Sequence, residues 1–166
     1  MEVCEVVRDI RINHEQTQLQ FGFDYEVTRE TISRIENGRQ KVPMDISRKM
    51  MDKFDDPRLA WAIRHEYTGT GTRLLDGQNV DLHPASVKEK SLEEIQEAID
   101  AMSAVSFAKP LHLNSPMVLE NAAVQIVQAV IALEHLAAAV CSHGNLSYQG
   151  VWKKVDLMLE KAGYVK

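Results

Sequence analysis

The sequence predicts an all-α chain in two parts: an N-terminal domain of short helices and a helical oligomerisation tail. Three observations lead there. Apolar residues recur at helical spacing over most of the 166 residues, with little of the alternation that marks strands. Turn signals at Gly38, at Asp55-Asp56-Pro57 and at Thr68-Gly-Thr-Gly-Thr72 cut the first part into short pieces. Beyond Pro84 the helical stretches become long.

Taken in order, Val3, Val7 and Ile10 define a first helix over residues 2–13. Thr17-x-x-Gln20 is a capping-box pattern, so a second helix starts at Gln18 with Phe21 and Tyr25 inward. Thr28 is a good N-cap for a third helix, which Gly38 ends. Pro43 suits the first turn of a fourth, with Ile46, Met50 and Phe54 on its inner face, and a fifth runs through Leu59, Trp61, Ile63 and Tyr67. Residues 1–67 then form one domain and 68–83 a linker. The tail, residues 84–166, holds three helices. One spans 84–109 with Val87, Leu92, Ile95, Ile99, Met102 and Val105 inward, and a loop over 110–116 follows it. The second is Ala- and Val-rich and spans 117–141; the last runs from about 146 to 162.

Composition sets bounds on function. The formal charge is −5, with nine basic against ten acidic residues in 1–54 and ten against fourteen in the remainder, so a whole-surface polyanion binder is excluded. The basic residues of the first part crowd its second half, from Arg29 to Lys53. The apolar stretch over 117–140 is interrupted by Glu120, Gln125, Gln128, Glu134 and His135, which favours a bundle helix over a membrane span. No room for a signal peptide precedes the first helix, and Cys4 and Cys141 are expected to be reduced thiols, so a cytoplasmic location is expected.

The third helix carries the distinctive chemistry. Arg29, Glu30, Ser33, Arg34 and Asn37 fall at i, i+1, i+4, i+5 and i+8 and share one side, while Val27, Ile32 and Ile35 take the other. Arginine can grip guanine with two hydrogen bonds and glutamate can accept one from cytosine, so this face can read base edges in a major groove.

Residues 1 to about 54 resemble the Xre family, the helix-turn-helix of lambda-type phage repressors and Cro. Gln18, the apolar set Phe21, Val27, Ile32 and Ile35, and the run Thr28-Arg-Glu-Thr-Ile-Ser-Arg-Ile-Glu-Asn-Gly38 carry the resemblance. It implies a five-helix, lambda-repressor-like domain whose third helix enters the major groove of double-stranded DNA. Gln18 would then hold a phosphate, Arg29, Glu30 and Arg34 would face bases, and Asn37, Arg39 and Lys41 would hold the backbone. Thr28 and Ser33 complete the expected DNA-binding set. The resemblance also implies an ion pair between Arg11 and Glu36. The chain departs from the pattern in two places: Glu26 stands at the turn where Gly is usual, and Gln16 stands where an apolar residue is usual.

Other chemistry is not indicated. Gly69-Thr-Gly-Thr-Arg73 lacks the strand and the Gly-Lys-Ser/Thr ending of a phosphate loop. His135, Cys141 and His143 have no second paired ligand set, so no metal and no cofactor are expected. No nucleophile has a His and an acid arranged beside it, and the protein is not expected to be an enzyme. The near-uniformly apolar helix over 117–141, with the final helix carrying Trp152, Val155 and Leu159, suggests a homodimer joined through the C-terminal helices. The resulting expectation is a transcriptional regulator of phage or mobile-element type acting on a near-palindromic site. The rival is a protein-interaction module, such as an antitoxin or anti-regulator, whose helix-turn-helix serves as a scaffold.

Overall fold

The structure, a computed structural model, describes residues 2–107 and 115–165. Among the described residues there are eight helices and no strand: α1 (Val3–Asn13), α2 (Gln18–Asp24), α3 (Arg29–Glu36), α4 (Met44–Phe54), α5 (Pro57–Thr68), α6 (Pro84–Ser103), α7 (Pro116–His143) and α8 (Tyr148–Lys161). The chain is all-α, as expected. It divides into a first unit, Met1–Gln78 with Leu146–Lys166, and a second unit, Asn79–Asn145.

The local signals act where the sequence places them. The Thr17 hydroxyl accepts a hydrogen bond from the Gln20 backbone amide while the Gln20 side-chain oxygen accepts one from the Thr17 amide, and Thr28 accepts from the Thr31 amide. Pro57 occupies the first turn of α5 behind Asp56, whose carboxylate accepts from the Arg58 amide. Each device satisfies backbone donors that a helix start otherwise leaves open. Gly38, at φ 67°, follows α3 in the left-handed region that glycine enters without a Cβ penalty.

The first unit closes over one apolar core. Val6, Val7, Phe21, Ile32, Ile35, Val42, Met50 and Leu59 are fully buried, and Ile10, Tyr25, Ile46 and Ile63 join them. Each large side chain so placed contributes roughly 1.5–3 kcal/mol relative to exposure. Glu26 sits at φ 57°, so the turn between α2 and α3 takes the left-handed conformation without a glycine. The glycine of this region is elsewhere: a Cβ on Gly22 would lie 2.7 Å from the Val27 carbonyl oxygen, and this absence of a side chain lets α2 approach the turn that leads into α3.

Three expectations for the C-terminal half need correction. The final helix does not belong to a three-helix tail. Tyr148 of α8 is buried against Trp61, whose indole N–H donates to the Tyr148 hydroxyl at 3.1 Å, and the Gln149 amide donates to Asp55 at 2.7 Å. The aromatic pair and these bonds tie α8 to the first unit. Residues 68–78 are likewise not free linker, since Thr72 is 1% exposed. Finally, α6 ends at Ser103 rather than 109. Of the rest of that stretch, residues 104–107 are non-helical, and 108–109, like most of the expected loop over 110–116, lie outside the described residues.

The second unit is a hairpin of α6 and α7. Ser91 on α6 donates to the Ala132 carbonyl of α7 at 3.0 Å. An antiparallel register through that bond sets Val87 against Leu136, Ala98 against Gln125 and Ala101 against Ala122, and these positions are all buried or half-buried. The expected inward stripe of α6 is therefore wrong in part. Val87 is buried, but Leu92, Ile99 and Met102 are exposed, and Ser91, Glu94 and Ala98 take the contact instead. Small side chains win this face because α7 offers Ala122 and Ala129 there, and Ala-rich faces draw two helices close. By length and composition α7 could also cross a membrane, although its polar interruptions had argued against this. Its most apolar window has mean hydropathy 1.7 and is 22% buried. That hydropathy is shared by spans and by bundle helices, and a core helix is mostly buried.

Gly22→Ala tests the close approach of α2 to the turn. The added methyl meets backbone that can yield only by moving the turn, so urea unfolding should show a loss of about 1–3 kcal/mol. Glu26→Gly should instead raise stability by up to about 1 kcal/mol by relieving the left-handed strain.

Candidate nucleic-acid interface

The α2–turn–α3 segment is held by one polar cluster. Arg11 on α1 meets Glu36 on α3 side-on with one edge of its guanidinium, Nε to Oε1 at 2.5 Å and Nη2 to Oε2 at 3.0 Å. Gln18 at the start of α2 adds a third bond, its amide donating to Glu36 Oε2 at 2.8 Å. Arg11 also donates to the Gln16 carbonyl at 2.8 Å, just before α2. The Glu36 side chain is 3% exposed. Burial by itself would push its carboxyl up, but the bonds from Arg11 and Gln18 outweigh this and hold it below the usual range. The Arg11–Glu36 pair expected from the sequence is thus present. Gln16 is engaged as well, its amide donating to Asp24 at 2.8 Å.

The expected DNA-binding residues divide into two groups. Arg29, Glu30, Arg34 and Arg39 are exposed, and the guanidinium groups of the three arginines make no hydrogen bond or close ion pair among the described residues. These side chains remain available to a ligand. The others are occupied within the chain. Gln18 holds Glu36. Thr28 caps α3. Asn37 folds back, its amide donating to the Ser33 carbonyl at 2.6 Å. Lys41 donates to the Glu66 carbonyl at 2.9 Å and lies 4.9 Å from the Tyr67 ring centroid, so it is tied to the end of α5. Glu30 is held below its ordinary pKa, first by its own backbone N–H and then by the Thr28 hydroxyl. Its carboxylate therefore stays ionised at the positive end of the α3 dipole.

Sequence reasoning missed how the acids beside the motif are answered. Lys53 meets Asp24 at 2.7 Å and Lys49 meets Glu26 at 3.4 Å, both lysines coming from α4. The bond from Lys53, with that from Gln16, holds the Asp24 carboxyl low. The only signal in the sequence was the i, i+4 spacing of Lys49 and Lys53, which puts them on one side of α4. Charge is also partitioned between the units. The second unit carries three lysines against eight acids, which is the whole formal −5, and the first unit carries 16 basic against 16 acidic residues.

The arrangement is an exposed face of α3 with Arg29, Arg34 and the anion Glu30, and with Arg39 just beyond the helix end; α3 is fixed against α1 by the Arg11–Glu36 pair and against α2 by the Gln18 bond. Such a face can donate paired hydrogen bonds to base edges or phosphates. Compared with known proteins, the chain matches no family model, no curated protein and no solved structure.

The buried cluster has a pH signature. Because the folded Glu36 carboxyl lies below its ordinary 4.5, its stabilisation is complete above that value and is lost as pH falls through the lower folded value. Stability should decline below about pH 5, and Glu36→Gln should flatten that decline in denaturant titrations at stepped pH. Arg11→Met leaves a buried carboxylate without its cation and should cost about 3 kcal/mol or more at pH 7.

Proposed function

We propose that the first unit is a helix-turn-helix domain that binds double-stranded DNA through α3, in a transcriptional regulator of phage or mobile-element type. One observation carries the reading: Arg29, Arg34 and Arg39 are exposed and unengaged, while the residues around them are locked by capping bonds and by the Arg11–Glu36–Gln18 cluster. Exposed cations on and just beyond a rigid helix suit a ligand with fixed acceptors, and base edges in a major groove are such a ligand. The neutral charge of the first unit supports it too, since the acidic excess lies in the other unit. The resemblance of residues 1 to about 54 to the Xre family points the same way. In this reading Arg29 and Arg34 face bases and Arg39 meets phosphate. Gln18, Asn37 and Lys41 act by shaping the motif. The protein works as a homodimer, which places two recognition helices about one turn of DNA (~34 Å) apart on a near-palindromic site.

The rival reading, a protein-interaction module built on the same motif, draws on the ionised Glu30 in the middle of the face, which repels phosphate. A salt titration of binding to random duplex DNA separates the two. A DNA-binding face loses affinity steeply as salt rises, and a scaffold has no affinity to lose.

Arg34→Ala should weaken binding to a selected operator by about 1–3 kcal/mol and relax preference at one base position. Arg39→Ala should weaken all sequences alike and reduce the salt slope by about one unit. Quantitative gel shifts with operator and random duplexes measure both. If Arg34→Ala weakens operator and random DNA equally, base readout by Arg34 is ruled out.

A further inference from the structure

Many of the exposed apolar residues of the second unit follow a rule, although Met117, Val124 and Val127 stand outside it. On α7 the positions facing α6 include Val118, Ala122, Gln125, Ala129, Ala132 and Leu136, separated by alternating steps of four and three. A second series lies one residue later along the chain: Leu119, Ile126, Val130, Leu133 and Val140, with Ala123 and Ala137 filling the same alternation. Helix α6 repeats the design. Val87, Ser91, Glu94 and Ala98 face α7, and one residue later come Lys88, Leu92, Ile95 and Ile99, with Met102 continuing the steps. Steps of three and four sustained in this way are the seam of a left-handed helical bundle. Each helix therefore has two seams, and one of them is unmatched: Leu92, Ile99, Ile126, Val130, Leu133 and Val140 are 39–56% exposed.

The two unmatched seams form one face. In each helix the second seam is rotated by one residue in the same sense along the chain, about 100°. Because α6 and α7 run antiparallel, these rotations are opposite in space, and both seams turn to the same side of the hairpin. Leu92, Ile99, Met102, Ile126, Val130, Leu133 and Val140 are all exposed on that side, and a contiguous apolar set of this kind marks a contact surface.

We propose that this face packs against the same face of a second copy, so that two α6–α7 hairpins form a four-helix bundle about a two-fold axis. A second copy fits because a seam with bundle periodicity needs another seam, and a two-fold contact supplies an identical one. A lipid surface does not fit. Glu89, Asp100 and Glu120 flank the face and outnumber Lys88 at its α6 end, whereas helices that lie on membranes are rich in Lys and Arg there. The inference supplies the dimer that the DNA-binding reading requires and rests on that reading only for its use. The interface is argued from the hairpin alone, and α8 takes no part in it.

The experiment uses the full chain without DNA, so its failure is distinct from failure of the DNA-binding reading. Sedimentation velocity at about 20 µM detects dissociation constants in or below the micromolar range, and a dimer is expected. Its affinity should be no lower at 1 M than at 0.1 M salt, as rough working points, since salt screens the acidic rim. The double variant Ile126→Lys/Leu133→Lys should raise the dissociation constant at least about a hundredfold with helical circular dichroism retained. Should that variant lose its helices, Ile126→Ala/Leu133→Ala should still raise the constant about tenfold. Val124→Lys, at a 50% exposed position on the opposite side of α7, should leave the dimer intact. A monomeric intact chain, an undisturbed dimer in both double variants, or equal disruption by Val124→Lys would overturn the proposal. So would association of the chain with phosphatidylcholine–phosphatidylglycerol vesicles that the lysine pair abolishes.

Discussion

The contact between Arg11 and Glu36 governs what the first unit can present. Three helices meet there: α1 supplies the guanidinium, α3 the carboxylate and α2 the Gln18 amide that shares it. A carboxylate 3% exposed is costly unless it is paired and fully bonded, and this one receives three bonds. The geometry leaves little freedom, because a planar guanidinium making two bonds along one edge fixes direction as well as distance. The orientation of α3 relative to α1 and α2 follows from it, and so does the placement of Arg29 and Arg34. The apolar core alone would hold these helices together with less control over their rotation.

Around that cluster the chain removes competing charge from the face. Asp24 and Glu26 are matched by lysines of α4, and the remaining acidic excess lies in the second unit. The net charge of the whole chain is therefore a poor guide to the first unit. The three arginines stay exposed, and no carboxylate makes a close ion pair with them among the described residues. Glu30 is the anion left on the face, held ionised first by its own backbone N–H and the Thr28 hydroxyl and then by the charges of Arg29 and Arg34.

The hairpin shows why a count of large apolar residues misjudges a helix. The sequence reading assigned Leu92, Ile99 and Met102 of α6 to the core because they are the bulkiest residues at helical spacing. The structure packs Ser91, Glu94 and Ala98 inward instead, opposite the alanines of α7. Small residues permit close helix approach, and bulky ones on the adjoining seam are left for a further partner. A helix with two seams offers both stripes to a periodicity search, which cannot say which one its own chain uses.

Much of the first unit was legible in the sequence by itself. Caps at Thr17 and Thr28, the core positions Val3, Val7, Ile10, Phe21, Tyr25, Ile32, Ile35, Ile46 and Met50, the turn residue Glu26 and the Arg11–Glu36 pair follow from local pattern or from the family resemblance, because each depends on near neighbours or on a fixed spacing within a motif. The exposed face of α3 was legible for the same reason. Only the tertiary structure decided which of the candidate residues stay free. Lys41 is taken by the Glu66 carbonyl, Gln18 by Glu36, and Asp24 by Lys53, and these partners lie 18 to 29 residues away in the chain. It also decided the place of α8, since the Trp61–Tyr148 contact joins residues 87 positions apart. Periodicity specifies which side of a helix is apolar, but the surface that covers it is selected by distant side chains competing for the same contact.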